Sequence, residues 1–180
     1  QLGFGALDGD KLFLRREADQ TLIDTITVKP FPRARYPDGL GDWFTPSQST
    51  PNAPNLVQLR RDVVINEFMW HAPPLDETPT NAYQPSEELW IELYNRSSSP
   101  VDLTGWRLDA GIDFRFTNGP VLPPEGYVII ARDAQALLSK WSDLDDVILG
   151  DFTGKLRKGE RFVLRDALGN PVDETRVFEK

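Results

Sequence analysis

One short segment occurs twice, near the start of the chain and near its end. Gly5 begins GALDGDKLFLR, and Gly154 begins GKLRKGERFVLR. Allowing one inserted residue, Leu7, Gly9, Asp10, Leu14-Arg15 and Leu22-Ile23-Asp24 align with Leu156, Gly159, Glu160, Leu164-Arg165 and Val172-Asp173. A glycine turn followed by short apolar runs is typical of a β-hairpin. The sequence therefore predicts the same hairpin twice, as in a repeat protein.

The two copies differ in what precedes them. Several strand-like segments come before the second copy, whereas the chain starts at the first. We expect residues 1–58 to be the C-terminal hairpin and strap of a preceding repeat, and residues 59–180 to be a complete repeat. The hairpin edges of the first copy then need a partner, which is the second repeat, another chain, or sequence outside this one.

Strand-like segments recur at short intervals between turn residues. Their first residues are Lys11, Leu22, Val63, Leu89, Gly105, Phe114, Gly126, Asp146, Glu160 and Pro171. Only Asp133–Trp141 has helical spacing, with Asp133 placed to cap a short helix. This pattern is typical of an all-β antiparallel sandwich.

Two stretches interrupt the strands. The first, residues 29–55, is rich in Pro, Gly and Ser and is here called the strap; we expect little regular structure in it. It also contains four aromatic residues, so we expect it to lie against a neighbouring surface rather than act as a free linker. The second, residues 71–85, is predicted to be an exposed loop.

Composition excludes several classes of protein. The 180 residues include no Cys and one His, which excludes disulfide frameworks and thiolate zinc sites. No apolar run is long enough to span a membrane. The formal charge of −8 disfavours nucleic acid as a partner, since phosphate binding depends on Lys and Arg. The charge is uneven: residues 1–61 carry 8 basic and 7 acidic side chains, and residues 62–180 carry 12 and 21.

Five blocks in order resemble the lamin tail domain in its bacterial form: VVINEF from Val63, LWIELYN from Leu89, VDLTGWRL from Val101, LPPEGYVIIARD from Leu122 and FTGKLRKGERFVLRDALGNPVD from Phe152. The segment from Gly9 resembles the last hairpin of that domain, and the segment from Ala34 resembles the strap that bacterial members carry after it. The second copy ends without such a strap, which leaves open whether the strap covers the second repeat instead.

The resemblance implies an immunoglobulin-like sandwich used for binding or structural joining, with no catalytic residues. Bacterial members are typically extracellular, in tandem or attached to secreted hydrolases or nucleases. The chain has no sustained heptads, which argues against a nuclear filament protein.

Acidic clusters raise the alternative of a calcium site, because Ca²⁺ binds converging carboxylates. The residues concerned are Asp76, Glu77, Glu87, Glu88, Glu92, Asp143, Asp145 and Asp146. None has EF-hand spacing, so solvated charge is the preferred interpretation and no cofactor is expected. The same reasoning favours a surface role for His71. Paired carboxylates are also used in glycoside hydrolysis, but no cleft is apparent. Asn95-Arg96-Ser97 matches a glycosylation sequon.

The strap provides the candidate interaction residues, namely Arg33, Arg35, Tyr36, Trp43 and Phe44. Their rings and guanidinium groups would suit a sugar-stacking or partner-binding platform, whereas burial against the sandwich explains Trp43 equally well. Burial is the preferred interpretation, because large exposed apolar patches are uncommon unless they mark interfaces.

We therefore expect a non-catalytic structural or interaction module of a secreted or cell-envelope bacterial protein. Its partners would be other protein chains or adjacent repeats, with no nucleic acid and no direct membrane span. The alternative is an accessory domain that positions substrate for a secreted hydrolase or nuclease.

Overall fold

The structure, a computed structural model, describes residues 5–71 and 88–177. The chain folds into two compact units, called here unit 1 (residues 1–58) and unit 2 (residues 59–180). Helices long and apolar enough to cross a bilayer do not occur among the described residues.

Unit 1 is built from two small hairpins. The first joins β1 (Lys11–Arg15) to β2 (Leu22–Thr27), and the second joins β3 (Ala34–Tyr36) to β4 (Asp42–Phe44). The second hairpin lies in the strap, for which we expected little regular structure. Its strands are too short for an alternating pattern to be recognised among the surrounding prolines and glycines.

Unit 2 is a β-sandwich. Its strands are β5 (Val63–Met69), β6 (Trp90–Asn95), β7 (Val101–Asp102), β8 (Arg107–Asp109), β9 (Ile112–Arg115), β10 (Val121–Leu122), β11 (Tyr127–Ala131), β12 (Ile148–Leu149), β13 (Thr153–Gly154), β14 (Arg161–Arg165) and β15 (Pro171–Arg176). One sheet has the order β12-β11-β6-β5, the other has the order β13-β9-β8-β14-β15, and β7 pairs with β10. The all-β sandwich prediction is confirmed.

Alternating side chains fill the space between the two sheets. Along β6, Ile91 and Leu93 are completely buried, as their spacing predicted. They belong to a core that includes Trp106 and Phe162. Gly105 permits the bend before Trp106: its φ is +78°, and a Cβ there would lie 3.1 Å from the Cβ of Ala167.

Two sheet edges of the sandwich are joined by a carboxylate. β5 contains a bulge between Ile65 and Glu67, so its regular pairing with β6 is interrupted. The backbone N–H of Ile65 donates to Oδ2 of Asp173 on β15, at 2.9 Å. Asp173 therefore links the edge strand of one sheet to the edge strand of the other.

The predicted helix is present as α1 (Ala134–Lys140). Oδ1 of Asp133 accepts the N–H of Ala136 at 2.8 Å, and Leu137 is buried. The helix belongs to a crossover between β11 and β12, which pair in parallel. The sandwich is therefore not wholly antiparallel, contrary to the expectation from the sequence. A parallel pair of strands requires a long connection of this kind.

Asn95 is buried and fully hydrogen-bonded. Its Nδ2 donates to the carbonyl oxygens of Ser99, Leu122 and Pro123 at 2.8, 3.1 and 2.9 Å. Its Oδ1 accepts from both the backbone N–H and the hydroxyl of Ser97. The sequon at this position is therefore inaccessible for glycosylation in the folded domain.

The hairpins β1–β2 and β14–β15 have the same register. Leu14 lies opposite Asp24 in the first, and Leu164 lies opposite Asp173 in the second. In both hairpins the register shifts after that leucine. The pairing is thus equivalent residue by residue along both strands.

The residues entering the two hairpins also match. The N–H of Gly9 donates to the carbonyl of Val28 at 3.1 Å, and the N–H of Gly159 donates to the carbonyl of Val177 at 2.8 Å. Both glycines have positive φ, +92° and +79°. The acidic residue after each glycine accepts a backbone N–H three residues before it.

Candidate functional site

Large apolar side chains are exposed mainly on unit 1. Those of unit 1 are Leu7, Leu12, Phe13, Leu14, Leu22, Ile23, Phe31, Tyr36, Leu40 and Leu56. In the described part of unit 2 only Val121, Tyr127 and Leu168 are comparably exposed. Contiguous exposed apolar patches on soluble proteins often mark interaction sites. Unit 1 is therefore the candidate interaction region of the chain.

A cleft of about 520 Å³ lies between the first hairpin and the strap. Three cationic residues line it, Lys11, Lys29 and Arg33, and two rings, Phe13 and Trp43, form its apolar walls. Thr25 and Thr27 add hydroxyl groups. Cations beside aromatic rings suit an anionic group attached to a flat or apolar body.

Arg33 and Trp43, predicted from the sequence as interaction residues, meet in this cleft. A guanidinium nitrogen of Arg33 donates to the carbonyl of Trp43 at 2.6 Å. The Nε of Arg33 is buried and has no hydrogen-bond partner among the residues that the structure describes. A buried donor without a partner costs free energy, so the position of this guanidinium group carries an energetic cost.

Arg35 supports the cleft from behind Trp43. It lies opposite Trp43 in the β3–β4 pair, with its guanidinium carbon 4.5 Å from the ring centroid. Its Nη2 donates to Oδ1 of Asp24 at 2.6 Å, and its Nη1 donates to the carbonyl of Gly41 at 3.1 Å. Arg35 is therefore already neutralised by Asp24 and holds the strap against the hairpin.

Tyr36 and Phe44 lie outside the lining of the cleft. The Tyr36 side chain is 42% exposed, and Phe44 is half-buried opposite Ala34. The sequence thus predicted five interaction residues, of which the structure brings Arg33 and Trp43 together with Arg35 beside them.

The cleft residues of the first hairpin were missed in the sequence. Lys11 and Phe13 are two positions apart in β1, so they share one face. This alternation is visible in the sequence, but nothing in the sequence connects that face to the strap, because the two come together only when the chain folds back.

The described acidic residues do not assemble into a metal site: no group of three or more His, Asp or Glu side chains converges among residues 5–71 and 88–177. Glu88 pairs with Lys140 at 2.7 Å, and Glu92 accepts from Asn66 at 2.7 Å. The ring of His71 lies 5.4 Å from that of Trp70. Asp76, Glu77, Glu87 and most of the predicted loop lie outside the described residues.

Two packed sheets with a shared apolar core define an immunoglobulin-like β-sandwich. A family model, Lamin Tail Domain, matches residues 57–178, and the chain belongs to that family. The resemblance seen in the sequence is confirmed. The family consists of immunoglobulin-like structural or interaction domains and not of enzymes. The curated proteins include no match to this chain.

Proposed function

We propose that the chain is a structural module of a secreted or cell-envelope bacterial protein and joins protein chains or adjacent repeats in an assembly. The observation that supports this most is the concentration of exposed large apolar side chains on unit 1. Fully burying an exposed side chain of this size contributes about 1.5–3 kcal/mol. Burying several of them in one interface would offset part of the entropy that association costs.

Residues 1–58 then act as the C-terminal hairpin and strap of a preceding lamin-tail-like repeat, and residues 59–180 act as a whole domain. The identical register of β1–β2 and β14–β15 supports this division. An isolated two-stranded hairpin is only marginally stable in water, so the first hairpin gains most from a partner.

Sedimentation velocity combined with amide hydrogen exchange tests the proposal on the full chain. We expect association that increases with concentration, and slower exchange in β1–β2 in the associated state. The variant carrying Leu12→Ser and Leu14→Ser should associate less, whereas a matched variant with Val121→Ser and Leu168→Ser should behave as the original chain does.

A chain that stays monomeric at every concentration, with β1–β2 amides protected as strongly as those of β14–β15, would contradict the proposal. In that case unit 1 would be stable alone, and its apolar surface would not serve association.

The cleft favours a second candidate function, that of an accessory domain positioning an acidic substrate for a secreted hydrolase or nuclease. Lys11, Lys29 and Arg33 would bind the anionic groups, and Trp43 would stack on the substrate. Calorimetric titration with an acidic oligosaccharide tests this. Arg33→Gln should weaken binding, whereas Lys155→Gln in unit 2 should not. Absence of binding to the original chain would exclude this candidate.

Neither version requires a cofactor. We expect the melting temperature to be the same with calcium and with chelator, since only an ion that binds the native state raises it, by an amount that grows with the logarithm of the ion concentration. A rise in melting temperature with calcium would instead indicate a calcium-dependent module.

A further inference from the structure

The strand β14 is paired on both of its edges, whereas β1 is paired on one. β14 has β15 on one side and β8 on the other. β1 has only β2 among the strands of the described chain. One edge of β1 therefore presents backbone groups to which another strand can bond.

The second hairpin shows which residues of β1 form that edge. Val163 of β14 lies opposite Asp109 of β8, Leu164 opposite Leu108, and Arg165 opposite Arg107. By the shared register, the corresponding residues of the open edge are Phe13, Leu14 and Arg15.

Backbone bonding directions alternate along a strand, so Phe13 and Leu14 direct their amides to opposite sides. The turn of each hairpin shows which residues bond to the second strand. The N–H of Arg16 donates to the carbonyl of Thr21, and the N–H of Asp166 donates to the carbonyl of Asn170. Because the bonding direction alternates, the backbone groups of Leu14 and Leu12 bond to β2, as those of Arg16 do. The N–H and carbonyl of Phe13 point toward the open edge.

A charge at this edge also lacks its counterpart. The Nε of Arg165 donates to both carboxylate oxygens of Asp109, at 3.0 and 2.8 Å. Arg15 is the equivalent residue, and its Nη1 donates to the turn carbonyl of Gln20 at 3.0 Å, as Nη1 of Arg165 does to Gly169. Within the described chain no carboxylate pairs with Arg15.

The apolar face that Leu12 and Leu14 form beside the open edge is also without a partner in the described chain. Leu12 and Leu14 correspond to Phe162 and Leu164, which are completely buried in the core of unit 2. Here Leu12 is 36% exposed and Leu14 is 60% exposed. In unit 2 this face is covered by the opposite sheet.

We propose that the edge Phe13–Arg15 receives, in antiparallel pairing, a strand of the β8 type from an adjacent lamin-tail repeat that lacks its own closing hairpin. The strand presents an acidic residue to Arg15, and the sandwich of the repeat that donates the strand buries Leu12 and Leu14. An intact second copy does not supply this strand, because its β8 is already paired with β9 and β14. Self-association of the full chain would cover Leu12 and Leu14 without adding a strand. This inference rests on the proposed function and names its partner.

A labelled synthetic peptide of residues 105–117, which contains β8 and β9, is the probe, and fluorescence anisotropy with the full chain is the measurement. We expect saturable binding. Phe13→Pro removes the amide at the open edge but no bond to β2, so it should weaken binding at least about tenfold, as expected when a strand cannot be added.

Phe13→Ala is the matched control, since it removes the same ring and keeps the amide. It should bind at least about threefold more tightly than Phe13→Pro, because the backbone bonds of strand addition remain. Hydrogen exchange in β2 checks that the hairpin persists in both variants.

A charge exchange provides a second, independent test. Arg15→Glu should weaken binding of the original peptide, and a peptide with Asp109→Arg should restore it. This experiment does not depend on whether the proline variant folds.

The inference is overturned if the peptide does not bind, if Phe13→Pro and Phe13→Ala bind it equally, or if the exchanged charges give no recovery. Concentration-dependent association of the full chain that persists while the peptide fails to bind would overturn only this inference. If the full chain does not associate and the peptide does not bind, the proposed function is overturned as well.

Discussion

The hairpins β1–β2 and β14–β15 have the same pairing and very different surroundings. In unit 2, Phe162, Val163 and Leu164 are completely buried, whereas Leu14, at the register position of Leu164, is 60% exposed. The local sequence is therefore sufficient for the hairpin geometry in both places. Burial of its apolar face depends on the presence of the remaining strands, which only the second hairpin has in the described chain.

The largest expected difference concerns those two leucines. Leu164→Ala should destabilise unit 2 by about 2–5 kcal/mol, because it leaves a cavity in a packed core. Leu14→Ala should change the free energy of unfolding by less than about 0.5 kcal/mol in the isolated chain. Urea unfolding of both variants measures this. A comparable loss for Leu14→Ala would mean that the first hairpin is already covered.

The two aspartates at the same register position should differ next. Asp173→Ala should cost about 1–3 kcal/mol, because the backbone N–H of Ile65 would lose its acceptor between the sheets. Asp24→Ala removes an ion pair with Arg35 whose side chains are 43% and 26% exposed, and should cost about 0–1 kcal/mol. Thermal unfolding compares them, and equal losses would show that Asp173 does not join the sheets.

The two turn glycines should, in contrast, behave alike. Both have positive φ and open space where a Cβ would lie. Gly159→Ala and Gly9→Ala should each destabilise their hairpin by about 1 kcal/mol, since only the backbone conformation opposes the new methyl group. Hydrogen exchange of the two hairpins reports both effects. Clearly unequal effects would argue against equivalent turns.

The smallest expected effects on stability concern two acidic residues, one in the turn between β1 and β2 and one in the turn between β14 and β15. Burial raises the pKa of Asp166, while backbone hydrogen bonds oppose that shift. Its ionised form is thus disfavoured by folding, so wild type should gain stability relative to Asp166→Asn as pH falls from about 7 to about 3.

Asp19, in the first hairpin, should show the opposite sign. Hydrogen bonds from Thr21 lower the pKa of this exposed carboxyl. Wild type should therefore lose stability relative to Asp19→Asn as pH falls below about 3.8. Unfolding at several pH values tests both acids, and parallel pH profiles would contradict the assigned environments.

The strands were predictable where their apolar residues alternate over several positions. All ten predicted segments overlap strands, although the one assigned to Phe114 begins earlier, at Ile112. Strands of two or three residues were missed in the strap and at β7, β10 and β13. A period cannot be established over so few residues.

The candidate site was predictable only in part. Arg33 and Trp43 stood out because an aromatic-rich strap is unusual, but Lys11 and Phe13 lie more than fifteen residues earlier in the chain. The sequon at Asn95 shows the same limit: its motif is local, whereas the burial of its amide depends on Leu122 and Pro123.

The sequence by itself determined the two hairpins, the capped helix and the lamin tail family, because alternation, turn glycines and capping residues act over a few neighbouring positions. The tertiary structure alone decided which hairpin is buried, which aspartate joins two sheets and which cations meet Trp43. Those properties depend on residues distant in the chain, and the free energy of burial is gained only when such residues come into contact.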